Sequence, residues 1–181
     1  MNVFVAGSAS PKIKPQYLKG IDKIANFFTE YDIGVICVGT TAGSVGEMYK
    51  HVTEKNGIVD VLVPKAYANE AEGIDNSNTQ TVVDTLYELQ QIAMANTSAT
   101  LVLPGGNGTL AELYMLTDSI KSKMHNDLIV IYNCNGFYDK VKEMNDFMLD
   151  AGVLEQYQYN YFNFCDTPQE VIDLLKKYLD L

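Results

Sequence analysis

The chain of 181 residues contains no arginine and no tryptophan, and all thirteen basic residues are lysines. Without arginine there is no planar guanidinium to clamp a phosphate or carboxylate at two points. Any bound anion must be held by backbone N–H groups, hydroxyls or lysine. Histidine is nearly as scarce: His51 and His125 are the only two, which excludes a three-histidine metal site. No other ligand cluster stands out, and we expect neither metal nor cofactor. Three cysteines, Cys37, Cys134 and Cys165, match no zinc spacing. They read as packing or loop residues of a reduced, cytoplasmic protein. Long apolar runs are missing as well. The stretches Ile33 to Val38 and Leu128 to Tyr132 are far too short to cross a bilayer. Met1 to Ser8 lacks the basic start and apolar core of a signal peptide and reads as a first strand. The net charge is −10 with the lysines scattered, so no nucleic-acid or membrane partner is expected. A small anionic ligand must overcome the field of the whole molecule.

What is present suits one domain spanning residues 1–181: 47% of the residues are hydrophobic and 20% charged, enough for a real core. Short apolar runs alternate with longer amphipathic stretches. Candidate strands are Asn2–Ala6, Gly34–Val38, Val59–Val63, Thr100–Leu103, Leu128–Tyr132 and Tyr159–Phe164. Candidate helices are Pro15–Glu30, Ser44–Lys55, Thr81–Asn96, Thr109–Ser122, Phe137–Leu149 and Pro168–Leu179. The alternation, with strands apolar throughout, predicts an α/β fold: a Rossmann-like, doubly wound parallel sheet with helices on both faces. The one long gap, Lys65 to Gln80, is read as a loop. A strand order of 3-2-1-4-5-6 makes the first and fourth strands neighbours at the switch point, where such sheets bind ligands.

Three Gly/Ser/Thr-rich segments follow the strands that this order brings together. The strongest signal is Pro104-Gly105-Gly106-Asn107-Gly108-Thr109. Three glycines within four residues, between a strand and a helix, let backbone N–H groups approach a phosphate at a helix N-terminus. Gly43 and Ser44 open the helix after the second strand, where Ser44 and Glu47 also fit a capping box. Ser8 and Ser10, after the first strand, offer hydroxyls. Glu112 stands three residues after Thr109, again in a capping-box pattern, as do Thr167 and Glu170.

At these residues the sequence resembles the LONELY GUY proteins, cytokinin-type nucleoside 5′-monophosphate phosphoribohydrolases. Pro104 to Glu112 matches the signature PGGxGTxxE at every fixed position, and Thr41 to Met48 resembles the segment GGGSxGLM. Gly7 to Ser10, Leu62 to Lys65, Asn135 to Tyr138 and Asp150 to Val153 resemble further landmarks, so the likeness runs nearly the whole chain. It implies a Rossmann-like homodimer that cleaves a nucleotide to free base and ribose 5-phosphate, with Glu112 as the catalytic carboxylate. The phosphate is expected on Gly105, Gly106, Asn107, Gly108 and Thr109, with Ser8, Ser10, Gly43 and Ser44 completing the site. One departure stands out. The family's catalytic arginine precedes the fourth strand, and counting back from Pro104 puts Leu89 there and Gln90 at the lysine beside it. With no arginine in the chain, a second copy cannot supply one. Two readings follow: an N-glycosidase that has relocated its cation, or a catalytically inactive nucleotide-binding or sensing protein of the same fold. Lysine decarboxylation, a label also attached to this family, needs pyridoxal phosphate on a lysine Schiff base, and no such constellation is visible. Tyr157, Tyr159 and Tyr161 alternate as on one face of a strand, either an interface or an exposed edge.

Overall fold

Apolar runs of four to six residues become strands here because both of their faces are covered. The computed structural model describes residues 1–71, 73–121 and 128–181. His125 and the expected end of the fourth helix at Ser122 lie outside these. Seven parallel strands form one sheet: β1 (Asn2–Ala6), β2 (Gly34–Val38), β3 (Val59–Pro64), β4 (Thr79–Val83), β5 (Ala99–Val102), β6 (Leu128–Tyr132) and β7 (Asn163–Cys165). Their spatial order is β4-β3-β2-β1-β5-β6-β7. The chain therefore winds outward from β1 to β4, then crosses back to the other side of β1. The expected order holds, with one strand added at an edge.

Alternate strand residues face two helical layers. Val3, Val5, Val35, Cys37 and Leu101 pack with α1 (Ile21–Glu30), α2 (Gly43–Thr53) and α7 (Pro168–Leu179). On the opposite face Phe4, Ala6, Ile36 and Leu62 meet α3 (Leu86–Asn96), while Val102, Ile129 and Ile131 meet α4 (Asn107–Lys121). Two further helices, α5 (Asp139–Asp150) and α6 (Gln156–Tyr159), complete the C-terminal half. Among the described residues no helix is long and apolar enough to cross a membrane. All three cysteines are free and buried. Burial pushes the Cys37 thiol up to about 12 and the Cys165 thiol up to about 11.

Several expectations are corrected. Thr79–Val83 is a strand, not part of a loop and a helix; it pairs with Asp60–Pro64, and Thr79 Oγ1 donates to Asp60 Oδ1 at 2.7 Å. As an edge strand it is mostly exposed, so polar residues serve it. The third helix accordingly begins at Leu86, where Thr85 accepts a hydrogen bond from the Glu88 N–H and the Glu88 carboxylate accepts one from the Asp84 N–H. Lys65–Ala71, read as loop, forms 3₁₀ turns. Finally, Tyr157 and Tyr159 belong to the short helix α6, and the last strand is Asn163–Cys165, so the tyrosines do not line one strand face. The first helix also starts late. Gly20 has φ +80°, and a Cβ there would lie 2.7 Å from the Tyr132 hydroxyl; α1 begins only after it.

Candidate functional site at the switch point

The strands β1 and β5 run side by side, and the loops that follow them are tied together by one serine. Ser44 is fully buried. Its hydroxyl donates to the Pro104 carbonyl at 2.7 Å and accepts from the Ser8 N–H at 2.9 Å. Ser44 therefore does not cap its helix; α2 has no side-chain cap. The preceding Gly43 has φ +72°, and a Cβ there would lie 2.0 Å from the Ser8 carbonyl oxygen. Together the two residues fasten three loops into one rim. Glu47, the other half of the expected capping box, turns away to His51 at 3.4 Å.

The loop after β5 is held from the other side by Tyr138, just ahead of α5. Its hydroxyl donates to the Leu103 carbonyl at 2.6 Å, with the Gly105 backbone beside it. Burial pushes the phenol well above its ordinary range, so it stays protonated. Its own N–H donates to Asn133 Oδ1 at 2.6 Å, and the Asn133 amide in turn donates to Asp139 and Asp166, both at 2.8 Å. In the sequence Tyr138 is only a family landmark; in the fold its hydroxyl fixes where the glycine loop begins.

The glycines of this loop differ in kind. At Gly105 a Cβ would meet Thr109 Oγ1 at 2.1 Å, so close packing within the chain demands glycine. At Gly106 and Gly108 a Cβ would find nothing within 4 Å. Neither has a left-handed backbone, yet both line the cavity. The protein's own packing gives no reason for glycine at these two positions. A phosphate seated on the first N–H groups of α4 does, because those groups have no partner within the helix.

The cavity holds about 440 Å³, within the range of small-molecule sites. Ser8, Ser10, Gly106, Gly108, Thr109 and Glu112 line it. Gly43, Ser44, Gly105 and Asn107 do not: the first three sit behind the wall as its fastening, and Asn107 begins α4. The Thr109 side chain is buried, tucked under Gly105; α4 already starts at Asn107, so Thr109 is not its cap. One turn further along, the Glu112 carboxyl is pushed up to about 7 by burial. No lysine lines the cavity among the described residues. Lys65 instead forms an ion pair with Asp84.

Part of the lining comes from α3, and its helical phase separates the two positions where the family carries cations. Leu89 is fully buried in the core with Phe4, Ile36 and Leu62. Leu86, Tyr87 and Gln90 face the cavity. Gln90 is a lining residue that the sequence did not single out for this role, since a glutamine in an amphipathic helix carries no signal of its own.

Fold and crevice together define a Rossmann-like α/β protein with its cavity at the topological switch point. The family profile described as "Possible lysine decarboxylase" matches residues 45–175, and the chain belongs to this family, that of the LONELY GUY proteins. Among curated relatives, the cytokinin riboside 5'-monophosphate phosphoribohydrolase LOG7 of Arabidopsis thaliana is 24% identical over 173 residues, covering 95% of this chain and 79% of its own. LOG2 of the same plant, with the same activity in its name, is 22% identical, covering 96% and 81%. Among solved structures, the molybdenum cofactor carrier protein of Chlamydomonas reinhardtii matches with a TM-score of 0.71 at 17% identity, covering 99% of this chain and 98% of that one. The molybdenum cofactor binding protein of Rippkaea orientalis matches with a TM-score of 0.71 at 14% identity, covering 98% and 95%. The structural likeness is one of fold.

Proposed function

We propose that this protein is a cytoplasmic nucleoside 5′-monophosphate phosphoribohydrolase working without metal or organic cofactor. The observation that carries this reading is the pairing, in one cavity, of two glycines that nothing in the chain requires with a carboxyl one turn further along the same helix. The phosphate sits on the N-terminus of α4, with Ser8, Ser10 and Thr109 supplying hydroxyls. Held there, it positions the sugar for reaction. The C–N bond between base and ribose breaks with its electron pair on the base, which takes up a proton. Water adds to the anomeric carbon and gives ribose 5-phosphate. The positive charge that develops on the sugar is stabilised by the Glu112 carboxylate, which also orients or deprotonates the water. Among the described residues no lysine lines the pocket to offer an amine for a Schiff base, which argues against pyridoxal chemistry.

A second reading, binding without turnover, is favoured by the same neutral lining, since removing a preorganised charged donor costs about 10²–10³ in rate. Two proteins of this fold are named for binding or carrying a cofactor. A homodimer is part of the proposal; Val82 on the edge strand, and Leu86 and Tyr87 at the cavity, are exposed and offer apolar surface for it, and light scattering of the purified chain measures the mass.

The deciding experiment incubates the protein with a panel of nucleoside 5′-monophosphates and the matching nucleosides and measures free base by chromatography, with Glu112→Gln beside it. Base released from monophosphates only, and abolished in the variant, supports hydrolysis. Ligand-induced thermal stabilisation without any release supports the binding reading.

A further inference from the structure

Gln90 is 1% exposed and lines the cavity from α3. Both polar atoms of its amide, Oε1 and Nε2, are buried without a hydrogen-bond partner. Burying an unpartnered amide opposes folding, and nearly all buried side-chain polar groups find partners. Met or Leu at this position would fill the space without that penalty. The neighbouring α3 residues on the cavity, Leu86 and Tyr87, and Met115 of α4 supply apolar surface. The hydroxyls and helix N–H groups come from other elements, the loops after β1 and β5, at Ser8 and Gly106. The orphaned amide thus belongs to a separate element of the lining, α3, and no cation lines the cavity among the described residues.

We propose that Gln90 is the specificity-determining residue of this cavity: its Nε2 donates to, and its Oε1 accepts from, a neutral donor–acceptor edge on the nucleoside portion of a 5′-monophosphate, selecting ligands whose non-phosphate end is uncharged. This rests on the nucleotide reading above. A primary amide offers donor and acceptor side by side, the pattern that pairs with the edge of a base or with neighbouring sugar hydroxyls. A guanidinium or ammonium offers donors only, so this chain recognises a different feature from one with cations on this helix. The folded protein holds an unmet hydrogen-bonding demand, and the ligand satisfies it.

The test uses the purified full chain, titrated by calorimetry with AMP, ribose 5-phosphate and inorganic phosphate, as wild type, Gln90→Met and Gln90→Glu. Without ligand, Gln90→Met is expected to melt about 2–4 °C higher, because an unpartnered polar group has been removed. Its AMP affinity is expected to fall about tenfold, with inorganic phosphate unchanged. Gln90→Glu, of the same shape but anionic and without the donor, is expected to lose more affinity for AMP than for inorganic phosphate. It carries the test if the methionine variant does not fold. A parallel loss of ribose 5-phosphate assigns the contact to the sugar; its retention assigns it to the base; either supports the proposal. Unchanged AMP affinity in both variants overturns it, as does an equal loss for inorganic phosphate, which marks a disturbed glycine loop. A wild type that binds AMP no better than inorganic phosphate overturns the nucleotide reading itself, before any variant is made.

Discussion

At the scale of single residues, the two kinds of glycine in one loop separate what folding requires from what a ligand requires. Gly105 is fixed by Thr109, whereas a Cβ at Gly106 would point into open space. Gly106→Ala is therefore expected to leave stability unchanged or raise it by about 0.4–1 kcal/mol, while weakening phosphate binding; thermal melts and phosphate titration read the two effects separately. Glu112 makes a second expectation. Burial raises its folded-state pKa to about 7 from an ordinary value of 4.5. The folded chain then holds a proton that the unfolded chain has lost between those values, so stability falls as pH rises across that window. Glu112→Gln removes the effect, and its stability gain over wild type, followed by denaturant melts, is expected to be small below pH 5 and to grow to a plateau above pH 7. If hydrolysis occurs, kcat/KM is expected to rise with pH through an inflection near the same value, because the carboxylate is the working form.

At the scale of elements, the sequence made most of the sheet legible. Val3–Ala6, Gly34–Val38 and Leu128–Tyr132 are apolar because both faces are covered, and that pattern survives without any tertiary knowledge. The misreadings occurred where this logic lapses. Thr79–Val83 is an edge strand with its first four residues exposed, so it lacks the continuous apolar run of the buried strands, although its threonines and valines suit a strand. Tyr157 and Tyr159 show period-two spacing but sit in a single helical turn, where four residues are too few for periodicity to decide. The candidate site was legible where backbone geometry dictates residue type, as in the glycine loop. It was not legible where a side chain acts through distant partners, as Ser44 and Tyr138 do across 60 and 35 residues. The phase of α3 yields an expectation of its own. Leu89→Arg buries an unpaired charge in the core and is expected to cost about 4 kcal/mol or more. Tyr87, 73% exposed at the cavity, tolerates a cation. Tyr87→Arg is expected to keep the wild-type melting temperature and tighten phosphate binding, so recovering the family's charge depends on the helix face rather than on the aligned position.

At the scale of the whole molecule, a chain of net charge −10 whose cavity holds no lysine among the described residues repels the anion it is proposed to bind. Adding salt screens that repulsion, since the Debye length falls to about 10 Å at 0.1 M. AMP association measured by stopped flow is thus expected to speed up from low to moderate ionic strength, the reverse of a site with a cationic funnel. The three cysteines carry a different consequence. All are buried and free, and the thiols of Cys37 and Cys165 are held in their unreactive form well above neutral pH. Cys37 lies near the middle of the sheet and Cys165 on its far edge strand. A thiol-specific reagent can therefore modify the native protein only as fast as each region opens, which makes the chain its own clock: the ratio of the two labelling rates tells whether the sheet frays from β7 inward or parts all at once.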